Sequence, residues 1–564
     1  MRSVGARGTI SAAGARIQTV RGAFASNLRS RDLRRAQLSF GAAWTAEWTL
    51  TVGLGIVAFR DGGAEAVGLV ALIRLLPGAL AGPLVATLAD RMRRERAITA
   101  IGVVRAVAMS LMALVLASGG PTALIYAFAV VSTIAGTPFR AAHSALLPSL
   151  CATPQQFTSA NAVRGMLDSL STLVGPLLAA VLLEIGTPAA VFVAAAAASL
   201  CSALLVLRLD YEAPPQSAHA ARPGVLADAR DGLRALAGLP DLALLIGLGI
   251  SQTFTRGALN VLTVVMAIEL LDTGEAGVGV LSAAVGAGAV IGSIGASLLV
   301  GSRKLATWYG VSIGLWGFPL VLIGAAPAQA PALILLAFIG VANALVDVSA
   351  FSVMARLAPD EVLARVFGIF EAFIALTIGL GSILAPLLIG AVGVRGTLAA
   401  VGAVCPALAI LARHRLRAID LAMQTRDDEL ARLRQIPMLQ PLPMPVMDHL
   451  ARNLASAYAP AGETLFDQGD EGDRFYIVAD GEAEVFGDGT LIRTLRPGDS
   501  FGEIALLRDV PRTAKVRART PLTLYTLDRD IFVPAVSGYA PAAARADAAV
   551  ANLLATFHPR GVGV

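Results

Sequence analysis

Between residues 37 and 413 the chain carries twelve apolar stretches, each close to the ~20 residues that a helix needs to cross a bilayer. They run over 37–59, 66–89, 97–118, 121–144, 157–184, 187–207, 241–269, 275–301, 305–325, 330–355, 363–391 and 395–413. Hydrocarbon offers no water to satisfy a backbone, so such stretches must close their hydrogen bonds internally, as helices. Charged residues make up only 15% of the 564, against about 25% in a soluble domain. Most of this chain is therefore expected in lipid.

The connections alternate in character. One set is basic: residues 31–35, 91–96, the long stretch 208–240, 302–304, 356–365 and 413–417. The other set is short and nearly free of Lys and Arg: 61–65, 118–122, 184–188, 272–275, 325–331 and 392–395. Basic connections stay on the cytoplasmic side, which places both termini in the cytoplasm of a multi-pass protein of the cell (plasma or inner) membrane. The net charge of +5 lies in these clusters, a pattern that orients a membrane protein and calls for no nucleic acid. The stretch 208–240 divides the spans into an N-terminal half, 31–207, and a C-terminal half, 241–413. Gly175-Pro176-Leu177-Leu178 in the first is echoed by Ala385-Pro386-Leu387-Leu388 in the second. Residues 1–30 contain no acid and are rich in Arg, Ala, Gly and Ser, which reads as a disordered basic tail. The first long apolar run starts near Leu38, so no cleavable signal peptide is expected.

Ionisable residues inside spans are costly and are functional candidates. Trp44, Glu47, Trp48 and Thr51 share one face of the first span. Glu47 can face a central cavity there or pair with Arg74 or Arg256; the two arginines can also meet an anionic substrate. Asp168 follows Arg164 by four residues on the fifth span, a spacing at which the two pair. Arg105 and Arg140 are placed near cytoplasmic ends, with Asp347 and Glu371 near the inner face of later spans. Cys151, Cys201 and Cys405 have no metal or disulfide spacing. No G-x-x-x-x-G-K-[ST] loop, zinc set or nucleophile–base constellation is present, and His143, His219, His414, His449 and His558 are scattered. The chain is expected to be no enzyme and to need no cofactor.

After a charged, helix-prone linker at 414–436, the pattern changes. From Glu463 the period is two and glycines mark turns at Gly469, Gly472, Gly481, Gly489 and Gly498. This predicts a cytoplasmic β-roll or jelly roll with flanking helices over 437–556. Within it, Gly502-Glu503-Ile504-Ala505 precedes Arg512-Thr513. A glycine permits close backbone approach, an Arg fork matches phosphate and Glu503 can accept from a sugar hydroxyl. The stretch reads as a cradle for a small anion.

Residues 501–518 resemble the phosphate-binding cassette of cyclic nucleotide-binding domains, roughly F-G-E-x-A followed by R-[TA]-A, and the likeness extends over about 437–540. It implies that Glu503 holds the ribose 2′-hydroxyl and that Arg512 pairs with the cyclic phosphate, helped by the backbone N–H groups of Ala505 and Thr513. Thr513 tolerates either base, so cAMP or cGMP is the regulatory ligand, with cAMP first. Val550, Leu553 and Leu554 are candidate lids over the base.

Residues 86–94 (Ala86-Thr-Leu-Ala-Asp90-Arg91-Met-Arg93-Arg94) resemble the G-x-x-x-D-R-x-G-R-[RK] loop of the major facilitator superfamily, with Ala86 and Arg93 standing where the pattern has glycine. That likeness, covering about 37–413, implies a cytoplasmic latch built from Asp90, Arg91 and Arg94, with Arg140, Asp347 and Glu371 as partners. It implies a secondary transporter with alternating access, expelling a small hydrophobic molecule with or without a coupling ion. Trp44, Glu47, Trp48, Arg74 and Arg256 are its cavity candidates. A membrane-anchored nucleotide receptor without transport is the alternative, and a constitutive transporter whose C-terminal domain only dimerises is a third.

Overall fold

The computed structural model describes residues 29–90, 92–151, 154–209, 234, 238–296, 304–357 and 360–557. The basic tail over 1–28, most of the central 208–240 stretch and Arg91 lie outside the described residues. The chain forms two compact units, Met1–Arg417 and Ala418–Val564.

The first unit is helical. Its helices are α1 Arg31–Asp90, α2 Arg94–Ala117, α3 Thr122–Gly136, α4 Phe139–Leu146, α5 Pro154–Ile185, α6 Pro188–Val206, α7 Pro240–Val265, α8 Gly274–Ala296, α9 Leu305–Ala325, α10 Gln329–Leu357 and the long α11 Asp360–Leu433. Among the described residues nine helices are long and apolar enough to cross a membrane. α1 breaks at Gly62 and Gly63, where φ/ψ leave the helical region, with Gly63 at φ 61° and ψ −151°. α11 breaks in the same way at Gly393, at φ 73° and ψ 171°. Both breaks need a residue without Cβ.

Without water to drive them together, helices in lipid associate by close packing. α8 and α10 touch backbone to backbone: a Cβ at Gly288 would fall 1.8 Å from the Ala337 carbonyl oxygen, and one at Gly340 would fall 1.9 Å from that of Val285. α7 and α11 repeat the device through Gly257 against Ile378 and Gly381 against Phe254, each 2.1 Å. Large apolar side chains such as Leu114, Ile185, Ile291 and Leu411 point outward, as a lipid-facing surface requires.

The second unit is a two-sheet β domain. Its strands are β1 Ala455–Ala459, β2 Thr464–Phe466, β3 Arg474–Asp480, β4 Ala483–Gly487, β5 Thr490–Leu495, β6 Ser500–Phe501, β7 Lys515–Ala518 and β8 Leu522–Asp528. They pair antiparallel in the orders β1-β8-β3-β6 and β2-β7-β4-β5. Asp488 and Gly489 both take positive φ, 49° and 79°, the requirement of the tight hairpin that joins β4 to β5. Val478, Val485, Leu495, Val516 and Leu524 fill the space between the sheets. A second core lies under the helices α12 Met444–Arg452, α14 Arg529–Ser537 and α15 Ala540–Phe557. Phe475 stacks on Phe532 there, with ring centroids 4.2 Å apart. Leu430, Leu433 and Ile436, from the stretch read as a linker, are buried in that same core.

Candidate functional site

In the second unit, β6 ends at Phe501, and Gly502 turns the chain at φ 91° into the short helix α13, Glu503–Arg508. The chain then returns through Arg512 into β7. The backbone of Arg512 is clamped by the preceding loop: its N–H donates to the Asp470 carbonyl at 2.7 Å, and its carbonyl accepts from the Gly469 N–H at 2.8 Å. These elements surround a cleft whose walls include Phe466, Phe501, Glu503, Ala505, Arg512 and Thr513. Gly502 and Ile504 lie on the same wall. The six residues singled out in the sequence for a small anion therefore meet at one cleft.

Arg512 is buried. Its Nη1 donates to the Gly502 carbonyl at 3.1 Å and its Nη2 to the Arg474 carbonyl at 2.9 Å. The nearest carboxylate is that of the exposed Asp473, at 3.5 Å. The guanidinium lies over the Phe466 ring at 4.2 Å and the Tyr476 ring at 5.6 Å, positions in which the ring faces attract a cation. Burial still holds its pKa below the ordinary value. Its Nε has no hydrogen-bond partner among the described residues. Glu503 is also buried and its Oε2 is unpartnered in the same sense. Burial pushes its carboxyl up to about 7, against the weaker pull of its own backbone N–H, Arg493 and Arg512. A cation and a carboxyl each holding an unmade hydrogen bond in one cleft form a receptor for a molecule bearing an anion and a hydroxyl.

Phe466, Tyr476 and Arg474 are the residues of this site that sequence reasoning missed. Alternation marked their strands, but nothing local showed that they would converge on Arg512. Of the candidate lids, Val550 is buried, and the side chains of Leu553 and Leu554 lie outside the described residues.

The first unit holds a second polar cluster. Glu47 of α1 accepts from Arg74 Nη2 at 2.9 Å and, through its other oxygen, from Arg105 Nη2. Arg74 Nε donates to Thr133 Oγ1 at 3.2 Å. Thus Glu47 pairs with Arg74 and Arg105, and not with Arg256. Arg105, read from sequence only as lying near a cytoplasmic end, reaches the face of α1 that bears Glu47. Arg140 lies over the Trp44 ring at 4.9 Å and 3.5 Å from Asp168, while Arg164 donates to Ser144. Trp48 packs on α5, where a Cβ on Gly175 would meet its Cβ at 2.6 Å. Of the latch candidates, Arg94 opens α2 and Asp347 accepts from Asn343 at 3.3 Å. The side chains of Asp90 and Glu371 lie outside the described residues.

A helical membrane unit carrying polar clusters, joined to a two-sheet domain with an anion-and-hydroxyl cleft, defines a multi-pass membrane protein with a small-molecule-binding module. Comparison with known families makes this specific. Residues 38–303 match the Major Facilitator Superfamily, and residues 457–538 match the cyclic nucleotide-binding domain. The chain thus joins a Major Facilitator Superfamily domain, the fold of a transporter family, to a C-terminal cyclic nucleotide-binding domain.

Among curated proteins, the chain is similar to the cAMP-dependent protein kinase regulatory subunits of Emericella nidulans and Yarrowia lipolytica. The first is 40% identical over 116 residues, 20% of this chain and 28% of that protein. The second is 42% identical over 102 residues, 18% of this chain and 27% of that protein. The chain thus spans little more than a quarter of the curated relatives it matches. A solved structure of Sp-2Cl-cAMPS bound to PKAR CBD2 is 28% identical, covers 25% of this chain and 95% of that one, and superposes with a TM-score of 0.23.

Proposed function

We propose that the protein is a secondary active transporter, an exporter of a small molecule working by alternating access, whose transport is regulated by cAMP or cGMP bound at the C-terminal domain. The observation that carries the regulatory part is the pair of unmade hydrogen bonds at Arg512 and Glu503 in one cleft. A cyclic phosphate supplies the acceptor for Arg512 and a ribose hydroxyl the donor for Glu503, with Gly502, Ile504, Ala505 and Thr513 framing them. The curated relatives are named for cAMP dependence, which favours cAMP over cGMP.

Twelve spans in two six-helix halves are supported by the two glycine breaks. Gly62–Gly63 divides Arg31–Asp90 into two helices, and Gly393 divides the segment Phe373–Leu433, which counts once among the nine. With the basic connections inside, the ends of α1 near Arg60 and of α8 near Glu275 lie on the outer side. Arg60 binds Glu275 there through two nitrogens, at 2.5 and 2.7 Å. On the same reading α8 touches α5 in its outer part, where a Cβ at Gly279 would fall 2.5 Å from the Pro176 carbonyl. These contacts join the N-terminal to the C-terminal half and fit a conformation closed to the outside, one of the two that alternating access requires.

A buried cluster around Glu47 favours transport over a passive anchor, which needs no charge in its spans. Nucleotide regulates only if its affinity differs between the two conformations. Calorimetric titration of the detergent-purified chain with cAMP and cGMP, beside Arg512→Ala, tests the sensor. Saturable binding that the variant loses is expected; absence of heat with both nucleotides overturns the regulatory reading.

A further inference from the structure

Four arginines (Arg74, Arg105, Arg140 and Arg164) and two carboxylates (Glu47 and Asp168) meet on α1, α2, α4 and α5, and their pairing leaves charge over. Arg74 and Arg105 share the single carboxylate of Glu47, one oxygen each. Arg140 lies 3.5 Å from Asp168, whose charge also acts on Arg164. Positive charge thus exceeds negative by two among these six groups, and part of it resides where water is scarce. Arg105 is only 4% exposed and its Nε lacks any hydrogen-bond partner among the described residues. It borders a cavity of about 260 Å³ that Trp44, Glu47, Phe139, Thr133, Thr137 and Arg140 also line. The Trp44 Nε1 is a second buried donor left without an acceptor. Both orphan groups are donors, and a surplus cation stands behind them. Buried positive charge in excess of its counter-charge is costly, so the cavity is built for something that brings a negative charge.

We propose that this cavity is the substrate site and that its substrate is a small organic anion, with its carboxylate, sulfonate or phosphate against Arg105 and Arg140 and its apolar body against Trp44 and Phe139. Glu47, itself on the cavity wall, sets the selectivity: it fixes the guanidiniums of Arg74 and Arg105 while neutralising only one of them, and it repels a second negative charge on the ligand. A cationic or neutral hydrophobic molecule would leave Arg105 Nε and Trp44 Nε1 unpaired and gains nothing from the surplus charge. This assignment deepens the transport reading, but binding is measured on the stationary protein and is separable from passage.

The test uses the full chain in nanodiscs and ligands of one shape and three charges. Benzoate, benzenesulfonate and phenyl phosphate are the anions, benzamide the neutral probe and benzylamine the cation. Tryptophan fluorescence reports binding, and Trp44→Phe identifies the part of the signal that comes from the cavity. At least one anion is expected to quench saturably and to bind at least about tenfold more tightly than benzamide, the worth of one charge-assisted contact. Arg105→Gln is expected to abolish the quench, and Arg140→Gln, at a more exposed position, to weaken it several-fold. The comparison of charges on the native chain needs no variant to fold. Equal or tighter binding of benzamide or benzylamine overturns the assignment, as does failure of all three anions to give a response that depends on Arg105. The same response to chloride alone overturns the organic character of the ligand. In proteoliposomes, Arg105-dependent anion binding without flux would sink the transport reading and leave the site standing, whereas flux of benzylamine alone would do the reverse.

Discussion

Arg512 lies so close to Gly502 that a Cβ there would stand 2.7 Å from Arg512 Nη1, while the guanidinium donates to the Gly502 carbonyl at 3.1 Å. The glycine thus serves twice, by its positive φ of 91° and by its missing side chain. Gly502→Ala should displace the guanidinium and strain the turn, the latter by about 1–2 kcal/mol. Titration calorimetry should record cAMP binding at least about tenfold weaker. Gly498→Ala is the control. It carries the same strain at φ 96° with nothing within 4 Å of a new Cβ, so it should lower stability and leave affinity intact.

Glu503 makes the domain sensitive to pH. Its carboxyl is pushed up to about 7 by burial, against 4.5 for an ordinary Glu. A raised carboxyl binds a proton in the folded state that the unfolded state has already released. Its contribution is therefore fully present below about pH 4.5 and is lost as pH rises through 7, a change of about 3 kcal/mol at most. Urea-dependent proteolysis of the C-terminal unit in the solubilised chain should show stability falling from pH 5 to pH 8, with Glu503→Gln flattening the trend. Nucleotide should act in the opposite sense. A hydroxyl donating to the carboxylate favours the ionised form, so affinity should rise between pH 6 and pH 8 with release of a proton. Calorimetry in buffers of different ionisation enthalpy measures that release.

That Gly502, Glu503 and Arg512 would share one cleft was legible because they lie within one short stretch and can be read as a unit. Its aromatic walls were not, because Tyr476 reaches Phe501 only through the pairing of β3 with β6, and register is a property of two strands. In the helical unit, periodicity identified the face of α1 that bears Glu47. It could not say which arginine would cross that face, since Arg105 is 58 residues away and helix-on-helix packing decides the meeting. The short connections at 61–65 and 392–395, nearly free of Lys and Arg, contain both glycine breaks, because a tight turn between spans needs a residue without Cβ whichever helices it joins.

Arg60 and Glu275 lie 215 residues apart and are joined by two hydrogen bonds. Arg60 is well exposed, so the pair adds only about 1 kcal/mol. That still shifts a two-state equilibrium about fivefold. Glu275→Ala should raise the population open to the outside. Spin labels at Glu65→Cys and Ala328→Cys, both exposed positions, should report a longer distance in a larger fraction of molecules. The exchange Arg60→Glu with Glu275→Arg should restore the native distribution, whereas an unchanged distribution in Glu275→Ala would remove the pair from the gate.

After Gly393, α11 runs unbroken to Leu433, and its last turns place Leu430 and Leu433 in the core of the C-terminal unit. The stretch from Ala418 onward belongs to the C-terminal unit, and between Gly393 and Leu433 the helix already contains Pro406. A stiff helix transmits a displacement along its axis, and a proline in its interior removes a hydrogen bond and kinks it, at about 3 kcal/mol. Ala422→Pro introduces that kink at an exposed position, where no packed side chain is lost. The variant should bind cAMP within about twofold of the native affinity. The change that cAMP produces in the distance between labels at 65 and 328 should shrink or vanish. Retention of that change in Ala422→Pro would show that the nucleotide acts on the spans by another route.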